Sequence, residues 1–343
     1  MNSPGSSIRT ITVMGTFATI EVVGEASDPK QIAEREEAIK RAFEWFHRIE
    51  ACCSRFEPAS ELSQLAGQIG VPVPVGEILY ETVRFAIAVA EESGGAFDPT
   101  VGAGMEARGF NREYRTGRVV HTGIAALEAI SYRDVRLDPE RRTITLLRPL
   151  MLDLGAVAKG LAIDMAAREL ASLTDFAIDA GGDLFLGGRR VDGAPWTVGI
   201  RHPRRDRELI DAVRASNCAV CTSGDYERRG AGGGGHHIID ARSGKHATML
   251  ASVTVVAPTA MLADALATAA FALGPDEGIR LLERHGVEGL LVTPTLQRHA
   301  TRGFPSDYSI LQDTKGPADN RLRDPAGDRV TNRGHQPDIW CSR

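Results

Sequence analysis

The stretch Asp153-Leu-Gly-Ala156-Val-Ala-Lys159-Gly160 lies where a predicted strand runs into a predicted helix that ends near Leu173. Glycine allows a backbone to approach a ligand closely, and the start of a helix attracts anions. Lys159 brings a positive charge close to that helix start. The stretch therefore suits a phosphate group, but an ordinary strand-to-helix turn with a surface lysine explains it equally well. It matches neither the phosphate-binding GxxxxGK[ST] loop nor the dinucleotide-binding GxGxxG loop.

Strands and helices mix on both sides of this stretch without a regular strand-helix-strand period. Two strand pairs are predicted, one joined at Met14-Gly15-Thr16 and one joined at Gly181-Gly182. This irregular mixture favours an α+β fold over a doubly wound sheet. Further strands are predicted at 143–147, 196–200, 251–257 and 287–293, and helices are predicted from Pro29 onward and over 79–90, 259–273 and 275–285.

The composition is that of a globular protein: 43% of the 343 residues are hydrophobic and 25% are charged. A net charge of −5 and an aromatic content of 6% argue against a nucleic-acid or membrane-surface partner. The 36 glycines exceed the roughly 7% average usage and call for tight turns or for backbone close to a ligand. We expect one large domain at 1–304 and a polar, aperiodic, disordered tail at 305–343.

The beginning of the sequence has no apolar run of signal-peptide length and no lipoprotein cysteine. A cytoplasmic location is therefore expected, with a periplasmic one as the alternative if the start codon is misassigned. Cys218 and Cys221 form a CxxC pattern. A redox pair or half of a zinc site would explain it, but a structural zinc site needs four ligands and no second CxxC exists. Two small buried residues near the end of a strand are the favoured interpretation.

Two further segments carry groups that are suited to chemistry. Asp264 and Thr268 are four residues apart on an otherwise apolar predicted helix, so they share one face. Their oxygen atoms suit Mg²⁺, and a simple Asp–Thr hydrogen bond is the alternative. His236 and His237 are adjacent and point in different directions, so they are poor ligands for one metal ion. One of them suits a general base, because the pKa of histidine lies near 6.5, and a structural role is the alternative.

Taken together, eight segments in order resemble the ApbE-type flavin transferases (FAD:protein FMN transferases). The resemblance covers about Arg9 to Val292, and its specificity comes from the order of the segments, since each one alone is weak. The segments are Met14-Gly15-Thr16, Ser54-Arg-Phe56 with Ser60-Glu61-Leu-Ser63, Ala96-Phe97-Asp98-Pro99-Thr100, Asp153 to Gly160, Ala180-Gly181-Gly182-Asp183, Thr222-Ser223-Gly224-Asp-Tyr226, His237-Ile-Ile-Asp240 and Ala263-Asp264 to Thr268.

The resemblance implies an α+β fold with a T-fold-like core, FAD in a cleft and Mg²⁺ at its pyrophosphate. It also implies transfer of FMN from FAD to a Thr or Ser hydroxyl of an acceptor protein, with release of AMP. An FAD pyrophosphatase and a non-catalytic flavin-binding protein are the alternatives. By resemblance, Met14, Phe56, Ala96, Phe97 and Asp98 line the FAD site; Asp153 and Lys159 hold the nucleotide; the Ala156 carbonyl, Asp264 and Thr268 bind Mg²⁺; and His237 lies near the pyrophosphate as the base. Ala267 stands where some members carry a further acidic ligand.

Overall fold

The computed structural model describes residues 6–25, 28–113, 116–125, 130–227 and 235–307. It has an α+β fold, as predicted, in which one large sheet is covered by helices. The helices are α1 (Pro29–Cys53), α2 (Glu61–Leu65), α3 (Glu77–Glu92), α4 (Gly102–Ala107), α5 (Gly155–Leu170), α6 (Ala260–Leu273) and α7 (Pro275–Arg284). The strands are β1 (Ser6–Val13), β2 (Thr16–Val23), β3 (Val73–Pro74), β4 (Val135–Asp138), β5 (Thr143–Leu146), β6 (Phe176–Ala180), β7 (Asp183–Gly187), β8 (Trp196–Arg201), β9 (Leu209–Ala215), β10 (Cys218–Gly224), β11 (Ile239–Asp240), β12 (Lys245–His246), β13 (Ser252–Ala257), β14 (Glu288–Val292) and β15 (Arg298–Ala300).

The main sheet has eight strands in the order β1-β2-β6-β7-β10-β13-β14-β15, and neighbouring strands run antiparallel. Two of its hairpins close with two residues at positive φ: Met14 (51°) with Gly15 (73°), and Gly181 (66°) with Gly182 (92°). This backbone matches the twist of the strands that such turns join. The two turns predicted from the sequence are therefore confirmed, and both lie beside the site described below.

Helices α1, α5 and α6 form the layer that packs against this sheet, and their buried side chains form the core with it. Helix α5 lies very close to α6 at Gly160. A Cβ atom there would lie 2.5 Å from the carbonyl oxygen of Ala260 and 2.5 Å from the Cα of Met261. Only glycine fits this crossing without a shift of the backbone. The crossing brings the first turns of α5 next to the first turns of α6.

Strand β10 is one of the elements that the sequence patterns did not predict, although it lies in the middle of the sheet. It is small-residue-rich and mostly buried, so it lacks the alternation that marks a half-exposed strand. Cys218 and Cys221 are three residues apart on this strand and therefore face opposite sides of the sheet. Cys221 is buried against α6, with its Sγ 3.7 Å from the Ala260 carbonyl oxygen. This geometry rules out a disulfide or a shared metal ion between the two cysteines and fits the favoured structural role.

The described chain stays attached to the fold for three residues beyond position 304. Ser306 forms a β-bridge with Val213, and the Asp307 backbone N–H donates to the Ala212 carbonyl at 2.7 Å. The remainder of the predicted tail, 308–343, lies outside the described residues. None of the described helices is both long and apolar enough to cross a membrane.

Candidate active site

A cluster of charged groups lies where α5 crosses α6, and Lys159 is at its centre. The Lys159 ammonium contacts the Asp183 carboxylate at the start of β7, and its Nζ lies 3.1 Å from Oδ2 of Asp264 on α6. The three side chains are 16%, 6% and 9% exposed, respectively. A buried carboxylate is costly unless it is paired, and the ammonium stabilises both acids. Lys159 is therefore part of a buried ionic cluster and not a surface lysine.

The other predicted metal-binding groups lie on the same two helices. Ala156 is in the first turn of α5, four residues before Gly160 and so on the face that meets α6. Thr268 follows Asp264 by one turn of α6, and its hydroxyl is 3.0 Å from the Ser223 hydroxyl on β10. Among the described contacts, Asp264 and Thr268 thus have Lys159 and Ser223 as partners, and not each other.

The donor set at this crossing fits a hard divalent cation. A carboxylate, a hydroxyl and a main-chain carbonyl are oxygen ligands of the kind that Mg²⁺ takes, together with waters and substrate phosphates. Asp264 already faces a cation, since the Lys159 ammonium contacts it. The described part of the chain holds no group of three or more His, Cys, Asp or Glu side chains that is suited to a metal ion. The oxygen donors named above differ from the thiolate and imidazole ligands of a zinc-type cage.

Asp153, the second predicted nucleotide-binding residue, is bound to an arginine. Its Oδ2 accepts from Nε of Arg55 at 2.7 Å, and its Oδ1 accepts from the Gly155 backbone N–H at 2.9 Å. The Arg55 guanidinium also donates to the Phe110 carbonyl at 2.5 Å and lies 4.1 Å from the centre of the Phe56 ring. Asp153 thus links the start of α5 to Arg55, whose guanidinium lies over the Phe56 ring.

The 96–98 loop, predicted to line the FAD site, is held by its own carboxylate. Oδ1 of Asp98 accepts from the backbone N–H and the hydroxyl of Thr100 at 2.8 and 2.7 Å, and Oδ2 accepts from the Tyr132 backbone N–H at 2.8 Å. Burial raises the pKa of Asp98. Ala96 and Phe97 are also buried. Because these side chains are already engaged within the protein, the loop would offer a ligand mainly its backbone.

The two adjacent histidines have different environments, as their positions in the sequence suggested. His236 is buried, its Nδ1 accepts from the Ile238 backbone N–H at 3.2 Å, and burial lowers its pKa. Its ring packs edge-on against Phe271, with ring centres 5.5 Å apart. His237 is half-buried, and its ring lies edge-on to Phe110 at 6.5 Å. His236 is therefore a core residue, whereas His237 lies on the side of Phe110 and Arg55.

The remaining predicted residue, Met14, lies in the β1–β2 turn. Its backbone N–H donates to the Glu50 carboxylate at 2.8 Å. Thr16, at the other end of this turn, packs so closely against Gly181 that a Cβ there would collide with the Thr16 hydroxyl. The turn is thus adjacent to the Gly181-Gly182-Asp183 turn and, through Asp183, to Lys159.

Main-chain contacts join these parts. The Asp153 backbone N–H donates to the Pro99 carbonyl at 2.7 Å, and the Ala241 N–H donates to the Ala96 carbonyl at 3.1 Å. The 96–100 loop is thereby tied both to the start of α5 and to the segment that follows His237. The predicted site residues, scattered over 255 positions from Met14 to Thr268, are brought into one connected region.

Among the residues of this region to which the sequence patterns gave no role are Arg55, Phe110, Asp164 and Asp183. Arg55 and Asp183 belong to segments that carry the family resemblance, and a charged residue inside such a segment was the available signal. Both carboxylate oxygens of Asp164, on α5, accept from the first backbone N–H groups of α6, from Ala260 at 2.7 Å and from Met261 at 2.9 Å. Nothing in the sequence around Phe110 or Asp164 distinguishes them.

Known proteins are similar to this chain in both sequence and fold. The model of a family described as the ApbE family matches residues 14–291. A protein of Treponema pallidum (strain Nichols) named FAD:protein FMN transferase is 33% identical, over 88% of this chain and 89% of its own length. The crystal structure of the ApbE protein from Thermotoga maritima is 31% identical, with a TM-score of 0.76 over 88% of this chain and all of the other. The flavin transferase ApbE from Vibrio cholerae is 26% identical, with a TM-score of 0.72 over 87% of this chain and 98% of the other.

Proposed function

The chain belongs to the ApbE family, and from this premise we propose that it transfers FMN from FAD to a Thr or Ser hydroxyl of an acceptor protein, with release of AMP. Its curated relatives bear the name FAD:protein FMN transferase, which supports flavin transfer as the reaction. We assign the activity to the predicted domain at 1–304, with the described residues 305–307 attached to β9. An Mg²⁺ requirement and a Thr or Ser acceptor are the further parts of the proposal.

The observation that carries the proposal is the contact of Lys159 with Asp264 across the α5–α6 crossing. A pyrophosphate is strongly anionic, and it needs both positive charge and donors at the site that holds it. The crossing offers an ammonium, a helix start and an all-oxygen donor set in one place. The Ala156 carbonyl, Asp264 and Thr268 would hold Mg²⁺, which when bound polarises the phosphorus and stabilises the negative charge on the departing AMP.

In the proposed reaction, the side chains and backbone of the site bind the two halves of FAD and accept a proton. The Lys159 ammonium binds a pyrophosphate oxygen, while Met14, Phe56 and the backbone of the 96–98 loop line the flavin side. The acceptor oxygen forms a bond to the phosphorus on the FMN side, and the bond from that phosphorus to the bridging oxygen breaks. The proton of the hydroxyl passes to the imidazole of His237, and AMP leaves with the bridging oxygen. General base catalysis of this kind contributes about 10²–10⁴-fold.

The test is a transfer assay with the purified full chain, FAD, Mg²⁺ and an acceptor that carries a Ser or Thr flavinylation motif. We expect the acceptor to gain the mass of one FMN residue and one AMP to appear for each acceptor modified. Release of AMP without a gain in acceptor mass would identify an FAD pyrophosphatase instead. Bound FAD that is not turned over would identify a flavin-binding protein.

The role of His237 makes a separate prediction. His237→Ala should retain FAD binding but lose transfer by at least about 100-fold, because the proton of the acceptor hydroxyl has no base to receive it. Transfer is followed by mass spectrometry and FAD affinity by flavin fluorescence. His121→Ala is the matched control, since the His121 side chain is 74% exposed and its removal should leave both quantities unchanged. Wild-type transfer by His237→Ala would exclude this residue as the base.

A further inference from the structure

Lys159 has two carboxylate partners, and the two are anchored in different ways. Asp183 begins β7, directly after the Gly181-Gly182 turn, and its Oδ1 accepts from the Thr222 backbone N–H on β10 at 3.0 Å. Asp183 is thus fixed by the main sheet. Asp264 is carried by α6 and belongs to the proposed metal-binding set. The Lys159 ammonium therefore links Asp183 in the main sheet to Asp264 in the helix layer.

The charge balance of this cluster changes when a divalent cation arrives. In the structure one ammonium faces two nearly inaccessible carboxylates, which leaves one net negative charge. A cation bound by Asp264 brings two positive charges next to the ammonium. Like charges within a few ångströms repel strongly in a buried setting, so Lys159 would be driven away from Asp264. If Asp264 were the only partner of this long, flexible side chain, the ammonium would then move toward solvent.

We propose that Asp183 is a positioning residue that keeps the Lys159 ammonium inside the site when a divalent cation takes Asp264. This inference rests on the proposed function, because it assumes that Asp264 is a ligand of that cation. Asp183 can hold the ammonium while the metal ion is bound, because Asp183 lies on β7 and not on α6, which carries Asp264. With Asp183 in place, the metal ion and the ammonium act on one pyrophosphate together.

Asp179 provides a matched comparison in the same hairpin. Its side chain is also a carboxylate, its Oδ1 accepts from the Gly182 backbone N–H at 2.8 Å, and burial raises its pKa. Lys159 acts on it only as a nearby charge. Asp179→Asn therefore removes one acidic group from this turn but leaves the direct ion pair of Asp183 intact.

The experiment measures how fast Lys159 reacts with an acetylating reagent, with and without Mg²⁺ as the probe. The sequence has only five lysines, so each site can be followed by peptide mass spectrometry. Lys30 and Lys40 are well exposed and serve as internal references for reagent activity. In the wild-type chain Lys159 should react at least 10-fold more slowly than these references, and Mg²⁺ should change its rate by less than 2-fold.

Asp183→Asn should respond to the metal ion in a way that the wild-type chain does not. Without Mg²⁺ the Asp264 carboxylate still holds the ammonium, and the reaction rate of Lys159 should rise only modestly. With Mg²⁺ the rate should rise about 10-fold, because both partners are then lost. Asp179→Asn should behave like the wild-type chain under both conditions. A loss of protection in Asp183→Asn that is equal with and without Mg²⁺ would indicate a merely structural role and overturn the proposal.

If Asp183→Asn does not fold, the substitution of the other carboxylate partner, Asp264→Asn, tests the same proposal. In Asp264→Asn the ammonium should stay protected by Asp183 whether or not Mg²⁺ is present, and exposure of Lys159 in that variant would overturn the proposal. Failure of the proposed function is recognised separately, in the wild-type chain, by an acceptor that gains no FMN. Failure of the present inference would leave that transfer intact and alter only the acetylation pattern.

Discussion

Asp98 and Asp264 are both buried carboxylates from segments of the same family resemblance, yet the structure uses them differently. The oxygens of Asp98 accept three hydrogen bonds, all from nearby main-chain groups and the Thr100 hydroxyl. Asp264 faces the ammonium of Lys159, at the tip of a long side chain from another helix. A carboxylate that is satisfied by fixed backbone donors stabilises a loop. One that is balanced by a flexible cation can exchange that cation for a metal ion or a substrate charge.

The largest expected effect separates these two roles. Asp264→Asn should lower the rate of FMN transfer by at least about 100-fold and abolish saturation by Mg²⁺, because a metal ligand loses its charge. Asp98→Asn should retain a normal Mg²⁺ titration and lose about 1–3 kcal/mol of stability, since the amide cannot accept at both of its ends. Transfer at varied Mg²⁺ concentration and urea unfolding check the two variants side by side.

The opposite results would contradict the distinction between Asp98 as a loop-stabilising carboxylate and Asp264 as a metal ligand. A normal Mg²⁺ titration in Asp264→Asn would remove it from the metal site and leave its pair with Lys159 as a purely structural contact. Loss of Mg²⁺ saturation in Asp98→Asn, with unchanged unfolding, would show that the 96–98 loop reaches the metal site directly.

The helix crossing that carries Asp264 is the next feature to test. Gly160→Ala should cost about 3 kcal/mol, near the upper end for overpacking, because the new methyl group meets main-chain atoms of Ala260 and Met261. It should also weaken Mg²⁺ binding, since α6 must move away from α5 and take Asp264 with it. Urea unfolding and calorimetric Mg²⁺ titration measure the two effects.

Gly104→Ala is the control for that substitution. Gly104 lies in α4, and the nearest atom to its added Cβ is the end of the flexible Arg108 side chain, at 3.2 Å. This variant should be neutral or slightly stabilising, because alanine favours a helix over glycine by roughly 0.5–1 kcal/mol. Equal destabilisation of both variants would mean that the α5–α6 crossing does have room for a methyl group at position 160.

The sequence predicted local features of this region better than its long-range contacts. Patterns within a few residues predicted the turns at Met14-Gly15 and Gly181-Gly182. The same kind of pattern placed Asp264 and Thr268 on one face of α6. The pairing of Arg55 with Asp153, 98 positions apart, and of Lys159 with Asp264, 105 positions apart, has no local signature. Such contacts depend on how strands and helices pack. The fold class was therefore predictable, whereas the partners of each charged group were not.

The smallest expected effect concerns Asp164 on α5, whose carboxylate accepts hydrogen bonds from the first backbone N–H groups of α6. Burial raises its pKa from the usual 3.8 to about 6, despite hydrogen bonds from Ala260 and Met261 and the nearby charge of Arg168, which all favour the ionised form. Between these two pKa values the folded protein holds a proton that the unfolded chain has released. Lowering the pH from 7 to 5 should therefore stabilise the wild-type chain, through this group, by about 1 kcal/mol.

Asp164→Asn isolates that contribution, because an amide does not titrate and the other ionisable groups respond in both proteins. At pH 7 the variant should already be less stable, as one main-chain donor of α6 loses its acceptor. The difference in unfolding free energy between wild type and variant should then widen as the pH falls to 5. A difference that stays constant, or narrows, would mean that Asp164 remains ionised throughout and caps α6 as a fixed charge. In that case Asp164 would resemble Asp98, and the cation-balanced behaviour would belong to the Lys159 cluster alone.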